Sequence, residues 1–186
     1  MAADRPSAWR SDTGQVRVPR PIVVAVLSWL AMIGVDLFLH AGVLAPLYDW
    51  GSPFLLRPEE AFLRIPVGYS AFLLLAVALV WLLPRLGVRR ASEGAVYAAG
   101  TSAVVWGAMV LGLWSIATAD PALLAAWWVG QTAELALGGY IVGAALAGAR
   151  VRALAVLAVV VLAVGATSAV VLQSIGYVES VPATID

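Results

Sequence analysis

Residues 22–44 read IVVAVLSWLAMIGVDLFLHAGVL. A run of this length with no lysine or arginine supplies the ~20 residues that a helix needs to cross ~30 Å of hydrocarbon. Asp36 and His40 interrupt it. They stand four residues apart, about 40° around a helix, and therefore share one face. The stretch thus predicts a transmembrane helix and also sets a problem, because lipid does not tolerate an unpartnered acid.

Working outward, four more apolar stretches follow, at about 65–83, 94–116, 122–147 and 153–172. The whole chain of 186 residues is 62% hydrophobic and 12% charged, with mean hydropathy +0.95. Soluble domains carry about 25% charged residues. Twelve per cent is too little to cover a water-facing surface, so the composition predicts an all-α polytopic transmembrane bundle of five spans within residues 21–173. Residues 1–20 form a polar, arginine-bearing tail, which is read as cytoplasmic and disordered. The apolar run after it is too long for the ~7–15-residue core of a secretory signal, so the first span is expected to be retained. Residues 174–186 are read as an extracytoplasmic tail.

The arginines set the expected direction of threading. All eleven basic residues are arginine. Arg5, Arg10, Arg17 and Arg20 precede the first span, Arg85, Arg89 and Arg90 join the second to the third, and Arg150 and Arg152 join the fourth to the fifth. With five crossings these nine lie on one side, and arginine-rich short loops stay cytoplasmic. The expected location is the cell membrane, with the N-terminus inside and the C-terminus outside. The other side holds Asp49, Glu59, Glu60, Asp120, Glu179 and Asp186. Trp50, Trp114, Trp127 and Trp128 fall near that outer boundary and Trp81 near the inner one, as amphipathic rings prefer.

Local signals refine the ends. Ser92 is expected to cap the third span with Glu93 in its first turn, and Asp120-Pro121 to open the fourth. In the long outer loop, residues 57–64 read as a separate short helix lying on the membrane interface. Pro58 would sit at its first position, Glu59 and Glu60 on the dipole, and Glu60 would pair with Arg64. Gly139, Gly143 and Ala147 form a small-residue stripe of the kind that lets helices approach closely in lipid, within the chain or across a homo-oligomer.

Several chemistries are excluded. The chain has no cysteine, which removes thiolate nucleophiles, iron–sulfur clusters and thiolate metal sites. One histidine cannot build a polyhistidine metal site, so zinc hydrolysis is not expected, and no metal or cofactor is called for. The nucleophile elbow, the H-E-x-x-H motif and the phosphate-cradling glycine loop are all missing. The arginines are scattered among loops rather than gathered on one face, so nucleic acid is not an expected partner, whereas the lipid bilayer is.

What remains is a set of polar residues inside the spans. By helix rise, Asp36 lies roughly 10 Å and His40 roughly 5 Å below the outer boundary. Trp127, Gln131, Glu134 and Gly138 share one face of the fourth span, with Gln131 and Glu134 at roughly 13 and 18 Å. No arginine shares the depth of Glu134, so it is expected to be neutral or hydrogen-bonded, while Asp36 has His40 or Arg64 in reach. Together with Tyr69 and Trp106, these residues define a candidate ligand site between the first and fourth spans. Three functions are open: a non-enzymatic accessory or assembly subunit of a membrane complex, which is favoured; a binder or transporter of a small lipophilic or amphiphilic molecule; and a lipid-modifying enzyme using Asp36 and His40.

Overall fold

The computed structural model describes residues 18–48 and 52–177. The two ends of the chain and residues 49–51 lie outside it. Expectations for the cytoplasmic tail up to Arg17, for Asp49 and Trp50, and for Glu179 and Asp186 therefore fall outside the described residues.

Five long helices make up the described chain: α1 (Pro21–Phe38), α2 (Pro58–Leu82), α3 (Ala91–Ile116), α4 (Pro121–Leu146) and α5 (Val151–Ser174). A π-helical turn, Leu39–Val43, and a 3-10 turn, Ala45–Leu47, extend α1. No strand occurs among the described residues. Four of the helices, all but α4, are long and apolar enough to cross a membrane. The exception has a physical reason. α4 carries Gln131 and Glu134, and it buries more of its residues than any other helix does.

Successive helices run in opposite directions. The start of α3 meets the end of α4 where Gly94 faces Gly139 and Gly143. α1 and α5 run parallel, with Gly34 against Leu162, Gln173 Nε2 donating to the Ala41 carbonyl at 3.1 Å, and the Tyr177 hydroxyl donating to that of Val43 at 3.2 Å. Arg20, Arg85, Arg89, Arg90, Arg150 and Arg152 consequently gather at one end of the bundle, while Arg57 and Arg64 stand at the other. At the arginine-rich end the Arg85 guanidinium stacks 4.1 Å over the exposed Trp81 ring.

Close backbone approach holds the helices together. A Cβ on Gly94 would come within 3.0 Å of the Gly143 Cα, and one on Gly34 within 2.7 Å of the Leu162 backbone. The obstacle in each case is main chain, which cannot swing aside. Small residues create such contacts where lipid gives no hydrophobic drive for helix association. The stripe, read as a contact within the chain or across an oligomer, is largely used inside the chain: Gly139 and Gly143 are buried against α3, and Ala147, just past the end of α4, is exposed. Interhelical hydrogen bonds supplement the packing, from Ser28 Oγ to the Gly138 carbonyl at 3.2 Å and from Ser102 Oγ to the Gln131 carbonyl at 3.1 Å.

Three local expectations are corrected. Residues 57–64 do not form a separate interfacial helix; they lead directly into α2, which runs unbroken from Pro58 and contains Pro66. Pro66 removes one backbone donor, yet its ring follows only eight helical residues and the helix continues through it. Glu60 pairs with Arg57 at 2.8 Å rather than with Arg64. Ser92 lies inside the first turn of α3 instead of capping it. The N-cap residue is Arg90, with no side-chain cap, and Glu93 accepts a hydrogen bond from the Arg89 amide just before the helix at 2.9 Å. At α4 the expected cap is present, with Asp120 accepting from the amides of Ala122 and Leu123 at 2.7 and 3.1 Å. α4 closes on Gly148 at φ +87°, where the Ala149 amide reaches back to the Ala144 carbonyl.

The outward faces of α2, α3 and α5 are apolar: Val67, Leu74, Val104, Leu111 and Val170 are each more than half exposed. Together they far exceed the few hundred Å² of apolar patch that a water-soluble monomer shows. A bilayer solvates such a surface.

Candidate functional site

Where α1 ends, the chain changes its winding. Pro46 has no amide with which to continue the ladder onto Gly42, and the last turn before it opens to a π turn, with the Leu44 amide bonded to the Leu39 carbonyl at 2.7 Å. His40 sits in this widened turn. The 3-10 turn that follows brings Tyr48 back beneath it, with the Tyr48 hydroxyl 2.7 Å from His40 Nδ1. The Trp127 indole N–H on α4 donates to the same hydroxyl at 2.9 Å. Phe54 packs on the Trp127 ring at a centroid distance of 5.8 Å. The imidazole is thereby held from its Nδ1 side, and its Nε2 points into the bundle.

Facing Nε2 on α4 are Gly130 and Glu134. A Cβ on Gly130 would come within 2.6 Å of Nε2, so the ring occupies space that only glycine leaves. Glu134 is fully buried, and its Oε1 stands 3.4 Å from Nε2. This distance is close enough for electrostatic attraction, but the pair does not form a hydrogen bond. Neither carboxylate oxygen of Glu134 has a hydrogen-bond partner, and neither does His40 Nε2. Asp36, one helical turn before His40 and half-buried, stands near the Tyr69 hydroxyl. One donor atom each from Asp36, His40 and Glu134 lie within 4.8 Å of one another.

The structure therefore brings Asp36, His40, Glu134 and Tyr69 together. Gln131 is buried nearby on α4, and its side-chain oxygen also lacks a partner. Its main-chain carbonyl, however, is turned to Ser102 of α3. Trp106, half-buried on α3, is not in the converging set. Sequence reasoning missed two contributors. Tyr48 lies beyond the expected end of the first span, and only the π and 3-10 turns fold it back onto His40. Gly130 looked like one glycine among many, although its position four residues before Glu134, on the same helical face, is the signal that marks it.

Burial pushes the Tyr48 phenol up to about 12; the Trp127 N–H opposes this, and the nearby carboxylates of Asp36 and Glu134 add to it. Tyr48 is therefore a neutral hydroxyl at physiological pH. Among the described residues, Arg57 and Arg64 are engaged or placed at the bundle rim, and no arginine salt bridge reaches either carboxylate of the site. Two acids and one imidazole thus meet in an apolar bundle with no fixed counter-charge. Such a centre suits a species that brings positive charge or hydrogen-bond donors with it.

No known family model, curated protein or solved structure matches this chain.

Proposed function

We propose that this chain is a multi-pass protein of the cell membrane that binds a small cationic or donor-bearing ligand at the Asp36–His40–Glu134 centre. One observation carries the reading: Glu134 is fully buried, neither of its oxygens has a hydrogen-bond donor, and Asp36 shares its site. A residue retained only to join helices would be expected to spend its oxygens on a neighbour, as Ser28 and Ser102 do. The accessory-subunit reading makes no demand for such a centre and ranks second. A lipid-modifying activity through Asp36 and His40 ranks third.

Within this proposal the arginine-rich end faces the cytoplasm, the N-terminus lies inside and the C-terminus outside. The centre then lies in the outer half of the bilayer, between the end of α1 and the middle of α4.

The test is a thermal-unfolding panel on the purified full chain in mild detergent, with divalent metal ions, methylammonium and longer alkylammonium ions as probes. At least one cation should raise the midpoint of the wild type and leave Glu134→Gln and Asp36→Asn unmoved. Equal shifts in wild type and both variants, or no shift with any probe, would refute the reading.

A further inference from the structure

We infer that the ligand is a divalent transition-metal ion, held by His40 Nε2, one oxygen of Glu134 and one oxygen of Asp36. This rests on the cation-binding reading above and narrows it to one chemical class. The first support is distance. Two donors bound about 2.1 Å from a tetrahedral ion stand about 3.4 Å apart. His40 Nε2 and Glu134 Oε1 are 3.4 Å apart, beyond a hydrogen bond and matched to two ligands of one ion. The third donor, from Asp36, lies within the 4.8 Å spread of the set.

The second support is the shell around the ligands. A metal-bound imidazole donates its other N–H to a fixed acceptor, which sets its tautomer and orientation. Here Nδ1 faces the Tyr48 hydroxyl at 2.7 Å, and that hydroxyl is itself fixed by the Trp127 N–H at 2.9 Å. Asp36 has its own neighbour in the Tyr69 hydroxyl. Gly130 keeps the space in front of Nε2 clear.

The third support is charge. Two carboxylates and a neutral imidazole carry two negative charges, and a dication cancels them, so the filled centre is neutral in an apolar bundle. The donor set chooses among dications. One nitrogen and two carboxylates suit zinc, cobalt, manganese or ferrous ions. Calcium and magnesium want six or more oxygen ligands, and copper(I) wants sulfur. Three protein donors leave one tetrahedral position open, as in metal sites that accept a water or a further ligand.

The test uses the full chain in detergent micelles, stripped with chelator and titrated with Co2+, Zn2+, Mg2+ and Ca2+. We expect one Co2+ or Zn2+ per chain, a raised unfolding midpoint, and visible Co2+ absorption of tetrahedral or five-coordinate strength. Millimolar Mg2+ and Ca2+ should not compete. His40→Gln and Glu134→Gln should weaken binding at least a hundredfold and Tyr48→Phe about tenfold to a hundredfold. Gly130→Ala guards against loss of fold. The three nearest neighbours of its methyl would all be atoms of the His40 ring, which can swing aside where main chain cannot, so the chain should still unfold cooperatively in chelator, with a midpoint close to the wild type's, while losing the metal-induced shift. No stoichiometric binding, or binding that these variants leave unchanged, overturns the proposal. If methylammonium shifts the wild type but not Glu134→Gln while metals shift neither, the metal assignment falls and the cation-binding reading survives. If no cation shifts the wild type, both fall.

Discussion

Glu134→Met should make the metal-free, ligand-free chain more stable. The wild-type carboxylate is fully buried with no hydrogen-bond donor, and leaving a polar group in that state costs about 1–3 kcal/mol. Methionine fills a similar volume without the polar atoms. The change also removes a like-charged neighbour from Asp36. Against this stands the lost attraction to His40, which at 3.4 Å without hydrogen-bond geometry is worth about 1 kcal/mol on the scale of modest ion pairs. The expected balance is a gain of up to about 2 kcal/mol. For a chain of this size that corresponds to a rise of up to about 8 °C in the unfolding midpoint. The assay is thermal unfolding of chelator-treated protein in detergent, followed by circular dichroism, with Glu134→Gln as the companion variant. A fall of the midpoint in Glu134→Met would show that the carboxylate is a structural fastener and would remove the ground for a ligand site.

Other expectations concern packing and threading. Gly139→Ala puts a methyl against the Gly94 main chain and the Ala98 methyl, so α3 and α4 must separate, at about 1–3 kcal/mol. Gly100→Ala, on the open face of α3 with nothing in reach, should be neutral or slightly stabilising in the same unfolding assay. Gly148→Ala forces a side chain into a left-handed conformation at the end of α4 and should cost about 1 kcal/mol. Because the chain has no native cysteine, Glu59→Cys and Arg89→Cys can report sidedness directly. In intact cells a membrane-impermeant thiol reagent should label the first and spare the second, and the reverse pattern would invert the proposed orientation.

Much of the architecture was legible because membrane insertion leaves a coarse record. Five apolar stretches, with nine of the eleven arginines on one side of them, predicted five alternating helices, and Asp120-Pro121 marked the start of α4 to the residue. Helix periodicity also selected Asp36, His40 and Glu134 as residues that lipid would not accept. The segment 57–64 misled, because proline at a first position and acids on the dipole describe a helix start equally well whether the helix is short or runs on for 25 residues. Ser92 misled for a related reason: a serine near a helix start reads as a cap, but α3 begins one residue before it, at Ala91, and Arg90 takes the N-cap position.

By itself the sequence determined which segments are helices, which helix faces are polar, and that Glu134 would have to meet something other than arginine. Those are one-dimensional properties, set by hydropathy, period and the position of charge. Only the tertiary structure decided what meets what. It buried more of α4 than of any other helix, turned Gly139 and Gly143 onto α3, and used a π turn before Pro46 to aim His40 past Gly130 at Glu134. A count of histidines along the chain excludes a polyhistidine metal site, but it does not show which side chains converge in space, and only the fold brought donor atoms of Asp36, His40 and Glu134 within 4.8 Å of one another.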